Sequence, residues 1–386
     1  MIRQYIAKTL LITYIASVVI SGKDDTEESI AEAERYYMLT KDYCSMDELG
    51  EMDYYLFCDT QINKGAGGCK GKPSIINNDT KTIEEAKELY QGFREELPLE
   101  EKEESNGKND SNEDERIEVF YVSPDCKWIV TMRSSEHGTI CTQKLFNEKE
   151  IVREKTSETR RGVQPILIVK DGDSYREMEE EQYRKLTERV WLNFFEAGHG
   201  DLNYINPEGN LFVEISNDFS SLTINSVEDG AERWSYDLEG IHEKVEKIRN
   251  DVEEEEWVLV KICQFEGNEQ EGWLVVQAGP SSFFRVAYPS DEVTYLGEYL
   301  YSLRFSPDGK YAAYTSVDYD NGVGMDPVEE QQVPPPGIYI MEMETGKTAY
   351  IYWDPLRNPE ESFMEYRDFL WLEKESFEEY MTDTGN

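Results

Sequence analysis

The sequence has little of the side-chain chemistry on which most active sites depend. Its 386 residues include three histidines and six cysteines, and no two cysteines are spaced as Cys-x-x-Cys. The patterns His-Glu-x-x-His and Gly-x-Ser-x-Gly, which mark zinc peptidases and serine hydrolases, do not occur. The sequence therefore predicts no catalytic, cofactor-binding or metal-binding residue, and we expect a protein that is not an enzyme.

Basic residues are also scarce. Lysine and arginine together number 39 against 81 aspartates and glutamates, which gives a formal net charge of -42. Such a surface repels the phosphate backbone of nucleic acids and attracts cationic partners. Aromatic residues make up 12% of the chain, which argues against a disordered acidic protein. The simplest interpretation of the many acidic residues is that they solvate the surface of a folded protein. We expect a protein or peptide partner, a cationic one being a candidate, and no nucleic acid.

An apolar run of about a dozen residues lies near the N-terminus, where it fits a secretory signal. Arg3 and Lys8 precede the run at Leu10–Ile20, and the small residues Ser21 and Gly22 follow it. The run is short for a membrane span. We therefore expect residues 1–22 to be a signal peptide or an N-terminal anchor, and the protein to be extracytoplasmic; a buried N-terminal strand is the alternative.

The six cysteines are an even number, which suits an oxidising compartment. The favoured interpretation is one structural disulfide with the remaining thiols buried. Cys263 ends the apolar segment Val258–Cys263 and is expected to be a buried thiol.

One turn pattern organises the chain. Ser306-Pro307-Asp308-Gly309 separates two apolar strands, Tyr299–Phe305 and Tyr311–Tyr314. Serine first, proline second and glycine fourth are the preferences of a type I turn followed by a left-handed residue. The pattern recurs at Ser123–Cys126 and at Asn206–Gly209. Each copy predicts a β-hairpin.

The third copy has the fullest context, because two further strands follow it. Gly337–Met343 and Thr348–Trp353 flank the turn Glu344–Lys347, which completes four antiparallel strands. With its Ser-Pro-Asp-Gly-Lys and Thr-Gly-Lys turns, the segment 299–353 resembles a repeat of the TolB-type and WD40-like β-propellers. The resemblance implies a mostly β fold, an antiparallel propeller of five to six irregular blades with helical insertions.

The chain divides at an acidic stretch. Residues 99–116 contain almost no apolar side chains and predict a linker between an α+β region at 23–98 and a propeller-like domain at 117–386. Thr82–Leu97 predicts a helix with a capping box. Further helices are expected over Ser174–Ala197 and Ile241–Glu256. The strand Tyr54–Cys58 has no other evident partner, which suggests that it closes the ring.

Three further sequence patterns do not predict a functional site. Gly65–Pro73 lacks the residues of a phosphate-binding loop. Asp318–Gly322 with Asp326 matches only part of a calcium loop, so a solvated loop is favoured. His199 is interpreted as structural.

We expect a non-catalytic binding or scaffolding module; the alternative is a propeller-type hydrolase or lyase that uses carboxylates in its channel.

Overall fold

The structure is a computed structural model. It describes residues 43–63, 69–71, 73–97, 117–134, 141–157, 166–190, 203–216, 221–237, 259–278, 282–298, 300–315, 337–352 and 365–382.

These residues form mainly strands. In the first part of the chain they are β1 (Tyr43–Cys44), β2 (Tyr54–Asn63), β3 (Cys69–Gly71), β4 (Ser74–Ile76), β5 (Ile117–Val122), β6 (Trp128–Ser134), β7 (Cys141–Asn147), β8 (Glu150–Ser157), β9 (Ile168–Asp171) and β10 (Ser174–Glu177). In the second part they are β11 (Leu211–Ile215), β12 (Ser221–Ser226), β13 (Glu232–Asp237), β14 (Leu259–Gly267), β15 (Gly272–Ala278), β16 (Ser282–Tyr288), β17 (Val293–Glu298), β18 (Tyr301–Phe305), β19 (Tyr311–Thr315), β20 (Gly337–Glu342), β21 (Thr348–Tyr352) and β22 (Glu365–Glu373).

Five antiparallel sheets form the blades of a propeller. Blade 1 is β5–β8, blade 2 is β11–β13, blade 3 is β14–β17 and blade 4 is β18–β21, with β1 added in parallel to its outer edge. Blade 5 combines β22 with β2, β3 and β4. The strands β9 and β10 form a separate hairpin between blades 1 and 2. The predicted mostly β propeller is confirmed, with five blades.

Five apolar clusters fill the five interfaces between neighbouring blades. Each cluster contains buried residues from two blades that are adjacent in the ring. Representative pairs are Val130 and Phe212 for blades 1 and 2, Ile224 and Val276 for 2 and 3, Val275 and Ala312 for 3 and 4, Ala313 and Phe369 for 4 and 5, and Phe57 and Ile129 for 5 and 1. Burial of these faces supplies the main favourable free energy of the ring.

An N-terminal and a C-terminal strand complete blade 5 together. Strand β2 pairs antiparallel with β22, with a register that runs from Tyr54 opposite Glu373 to Ile62 opposite Glu365. Strand β4 then pairs with the other edge of β2. The hypothesis that an N-terminal strand closes the ring is therefore confirmed, because β2 from the N-terminal region and β22 from the C-terminal region share one sheet.

Three helices lie in the described residues: α1 (Ile83–Glu96), α2 (Glu180–Arg189) and α3 (Lys374–Thr382). Helix α1 begins as predicted, since Thr82 accepts a hydrogen bond from the Glu85 N–H and Glu85 reciprocates, forming a capping box. Among the described residues, no helix has the length and apolar character needed to cross a membrane.

The acidic composition of the C-terminal segment Glu378–Asn386 favours a solvated tail, but its first residues are helical. Helix α3 covers them and buries Phe377 and Tyr380 against blade 5 and helix α1. The Phe377 ring lies 4.5 Å from that of Tyr55, between ring centroids. Two buried aromatic residues outweigh the local excess of glutamate.

Two other expectations need correction. The helix expected over Ser174–Ala197 does not begin at Ser174, because Ser174–Glu177 pairs with β9 as strand β10; within the described residues 174–190, only Glu180–Arg189 is helical. Ile205 forms a single bridge with Phe212 instead of belonging to a strand. The predicted helix at 241–256, the acidic stretch 99–116 and the N-terminal segment 1–22 lie outside the described residues.

Candidate functional site

The three predicted turns share one hydrogen-bonding pattern. In each, the carbonyl of the first residue accepts from the N–H of the fourth, and the side chain of the first accepts from the N–H that opens the next strand. In the first turn, Cys126 N donates to Ser123 O at 2.8 Å and Trp128 N to Ser123 Oγ at 3.0 Å. In the second, Gly209 N donates to Asn206 O at 2.9 Å and Leu211 N to Asn206 Oδ1 at 2.8 Å. In the third, Gly309 N donates to Ser306 O at 2.8 Å and Tyr311 N to Ser306 Oγ at 3.0 Å.

The fourth residue of each turn has a left-handed backbone. Its φ is 54° at Cys126, 68° at Gly209 and 70° at Gly309. Glycine adopts this region without penalty, whereas a side chain there is unfavourable by about 1 kcal/mol or more. Asparagine replaces serine in the second turn and supplies the same acceptor through its amide oxygen. The three turns are therefore equivalent, as predicted.

The turns meet at one cavity of about 250 Å³, which we call the central cavity. All three turn prolines line it, and every blade contributes to its wall. The lining includes Tyr121 from blade 1, Asn206 from the turn that leads into blade 2, Glu266 from blade 3, Arg304 from blade 4 and Trp371 from blade 5. A cavity that touches all five blades lies at the centre of the ring.

Glu266 is the only carboxylate among the described residues that line the central cavity. Its Oε1 accepts a hydrogen bond from Gln264 Nε2 at 2.9 Å. Gln264 is fixed in turn, because its Oε1 accepts from the Phe305 N–H of blade 4 at 2.8 Å. The Glu266 Oε2 atom has no hydrogen-bond partner in the described part of the chain. Glu266 therefore offers one oriented acceptor to the cavity.

Burial raises the pKa of the Glu266 carboxyl, because the surrounding protein disfavours its charged form. The Gln264 hydrogen bond and the positive charges of Lys170 and Arg304 oppose this shift. Some of the Glu266 residue surface remains accessible, since the side chain lies inside an open cavity and not in a packed core.

Arg304 is held at the cavity wall from two sides. Its Nη2 donates to Asn203 Oδ1, and its carbonyl accepts from Trp371 Nε1 at 3.2 Å. These bonds connect blade 4 to blade 5 and to the segment that precedes blade 2. The guanidinium is therefore positioned by the fold before any ligand enters.

Aromatic and apolar side chains form the rest of the wall. They include Tyr121, Tyr175, Phe305 and Phe369. Burial raises the pKa of the Tyr175 phenol, so this group is neutral and can donate a hydrogen bond. The cavity thus combines an acceptor, donors and aromatic faces, which are the elements of a ligand-binding pocket.

Of the candidate residues in the sequence, the four described cysteines do not line the central cavity. His137, His199, His242 and the loop 318–326 lie outside the described residues. Cys58, Cys126 and Cys263 are buried thiols, Cys44 is partly exposed, and none of these four forms a disulfide. The expectation for Cys263 is confirmed. No group of three or more His, Cys, Asp or Glu side chains within the described stretches is arranged to hold a metal ion.

The sequence interpretation missed Glu266. One signal was available: Gln264 and Glu266 are polar residues at alternate positions near the end of an otherwise apolar strand, where a side chain faces the channel of a propeller. The alternation of polar residues alone does not show which face of the sheet points toward the centre of the ring.

The fold and site define a five-bladed β-propeller protein with a central cavity. No family model matches the chain, and no curated protein matches its sequence. Similar solved structures include the putative TolB from Agrobacterium tumefaciens, with 12% identity, a TM-score of 0.27, and coverage of 66% of this chain and 91% of that one. The fold assignment follows from the five sheets themselves.

Two other similar structures are enzymes. The oligogalacturonate lyase from Vibrio parahaemolyticus has 11% identity and a TM-score of 0.27, with coverage of 60% of this chain and 64% of that one. The Kuenenia stuttgartiensis hydrazine synthase has 11% identity and a TM-score of 0.24, with coverage of 64% of this chain. The chain spans 53%, or about half, of the hydrazine synthase chain.

Proposed function

We propose that this chain is a non-catalytic binding module of the extracytoplasmic space, and that its central cavity receives a cationic side chain of a protein or peptide partner. The observation that carries the proposal is the Glu266 carboxylate, whose Oε2 lies without a hydrogen-bond partner among the described residues inside an aromatic wall. A carboxylate in such surroundings gains from a charge-assisted hydrogen bond.

The charge balance at the site sets a condition on this choice, because two cations and one carboxylate line the described cavity. Lys170 and Arg304 act on Glu266 through space, and Arg304 is held by Asn203. The proposal therefore requires a ligand ammonium to contact Glu266 directly, because the attraction between two charges grows as their separation falls. The net charge of -42 further favours the approach of a basic partner.

The alternative is a propeller-type hydrolase or lyase with Glu266 as a general acid, which its raised pKa favours. Glycoside hydrolysis generally needs a second carboxylate at about 5–10 Å. No such companion lines the central cavity in the part of the chain that the structure describes. Binding therefore has more support than hydrolysis.

The test uses libraries of acetylated, amidated hexapeptides with lysine, norleucine or glutamate fixed at a central position. We expect the wild-type protein to prefer the lysine library, and Glu266→Gln to reduce that preference roughly tenfold or more. Glu271→Gln, an exposed residue before β15 and outside the cavity, is the matched control and should keep the preference.

Two results count against this function. One is the absence of a lysine preference in the wild-type protein, and the other is its persistence in Glu266→Gln. The same proteins are incubated with neutral and acidic oligosaccharides. Cleavage by the wild-type protein that disappears in Glu266→Gln would replace the binding proposal with the enzymatic alternative.

A further inference from the structure

A second cavity, of about 180 Å³, lies between the outer strand of blade 1 and helix α2. We call it the outer cavity. Strand β8 contributes two cations and α2 an acid and an aromatic ring, over an apolar floor. The residues that line it include Arg153, Lys155, Glu177, Met178, Glu180 and Tyr183. The outer cavity shares the apolar residues Ile166, Leu167 and Met178 with the central cavity but none of its turns or charged groups, so the two proposals depend on different side chains.

Lys155 has no ionic partner in the outer cavity. Arg153 and Lys155 are two residues apart on β8 and therefore face the same side. Arg153 Nη1 forms an ion pair with Glu177 Oε1 at 2.7 Å. Lys155 makes no ion pair within the described residues, and its Nζ lies 5.9 Å from the centroid of the Tyr183 ring.

Partial burial lowers the pKa of Lys155, with the nearby Arg153 adding to this effect and Glu177 and Glu180 opposing it. The ammonium is thus partly stripped of water, and its contacts among the described residues are the Tyr183 ring and the charges of Glu177 and Glu180, with none of which it forms an ion pair.

A second polar group beside Lys155 also lacks a partner. Gln143 lies directly opposite Lys155 in the β7–β8 register, so the two side chains are neighbours on one face. Gln143 is fully buried, and its Oε1 accepts from the N–H of Ile166, a residue of the cavity floor, at 3.0 Å. Its Nε2 has no acceptor in the described part of the chain. Buried donors without acceptors are uncommon in folded proteins.

Gln143 and Lys155 are thus neighbouring donors on one face of blade 1, and Lys155 lines the outer cavity together with Tyr183 and the apolar Met178. This arrangement suits a ligand with a negatively charged acceptor and an apolar body. Glu177 and Glu180 would repel a second negative charge on the ligand. At about 30 Å³ per water, the cavity holds the equivalent of roughly six water molecules, which limits the ligand to a small molecule or a chain end.

We infer that the outer cavity binds the carboxylate of a small organic monoacid, with Lys155 as its ionic partner and Tyr183 as its apolar contact. The net charge of the whole chain does not prevent this binding at physiological salt, where charges beyond about 8 Å are largely screened.

The experiment titrates the full protein with hexanoate and follows binding by calorimetry and ligand-observed NMR. We expect saturable binding to the wild-type protein and binding weaker by roughly 10- to 100-fold in Lys155→Met, which removes the charge and keeps the stem. Lys144→Met is the matched control, because Lys144 lies on the same blade and pairs with Glu154 at 3.6 Å, outside the cavity. Hexanamide and the diacid adipate should bind more weakly than hexanoate.

A further arm identifies the source of the carboxylate. N-acetylleucine mimics the C-terminus of a peptide, whereas hexanoate mimics a free acid; tighter binding of either supports the inference and assigns the source. The inference is overturned if neither acid binds the wild-type protein saturably, or if Lys155→Met binds hexanoate as tightly as Lys144→Met does.

Discussion

Gly209 and Gly309 occupy the same position in two equivalent turns, but only Gly309 has room for a side chain. Their φ angles are 68° and 70°. A Cβ atom on Gly309 would meet nothing within 4 Å, whereas one on Gly209 would lie 2.5 Å from Met178 Cε and 2.9 Å from Val169 Cγ1. The turn of blade 2 is thus packed against the β9–β10 insertion, and the turn of blade 4 is open.

This difference predicts unequal costs for the same substitution. Gly309→Ala should lower the free energy of unfolding by about 1–2 kcal/mol, the cost of a left-handed alanine. Gly209→Ala should lower it by roughly 2–5 kcal/mol, because overpacking against Met178 adds to the backbone cost. Urea denaturation of both variants measures the two values. Equal losses of unfolding free energy would show that the β9–β10 insertion can shift to accommodate the added methyl group without loss of stability.

The serine of the blade 4 turn should stabilise the fold through its hydroxyl. Ser306 is buried, and its Oγ accepts from the Tyr311 N–H while donating to Asp308 Oδ1 at 2.7 Å. Ser306→Ala leaves that N–H without its side-chain acceptor and should cost about 1–3 kcal/mol. Ser174→Ala, at an exposed hydroxyl, is the control and should change stability by less than about 0.5 kcal/mol. Equal urea midpoints for the two variants would contradict this role.

The closure of blade 5 predicts that its N-terminal strand is as important as an inner strand of blade 4. Leu56 on β2 and Leu303 on β18 are both fully buried. Leu56→Ala and Leu303→Ala should each cost about 2–5 kcal/mol and lower the melting temperature by a similar amount. A melting temperature unchanged by Leu56→Ala would mean that the ring holds without its N-terminal strand.

Glu266 should make the stability of the protein depend on pH. Its pKa is raised by burial above the ordinary value of 4.5, against the opposing effects of Gln264, Lys170 and Arg304. The folded state therefore binds this proton more tightly than the unfolded state, and stability is lost as the pH rises from the unfolded pKa through the folded one.

Glu266→Gln mimics the protonated form at every pH. Its stability relative to the wild-type protein should therefore increase as the pH is raised from about 5 to about 8. Urea denaturation across this range measures the difference, and a constant difference would show that the carboxyl is not destabilised by burial.

The parts of this fold that were predictable are those set by neighbours in sequence. The turn at Ser306, the cap at Thr82 and the strands Gly337–Glu342 and Thr348–Tyr352 follow from hydrogen bonds and alternation within a few residues. Strand β10, which begins at Ser174, was not predictable in this way. It forms by pairing with β9, and the helical spacing of apolar residues over this segment gives no sign of that pairing.

By itself, the sequence determined the strands that flank the three turns, the turns themselves and the choice of a repeated antiparallel architecture, because turn chemistry and a period of two residues are local properties. Only the tertiary structure decided that Tyr121, Glu266 and Trp371 share one cavity and that Gln143 and Lys155 lie beside another. The physical reason is that five apolar interfaces close the ring, and their packing sets which polar side chains face inward.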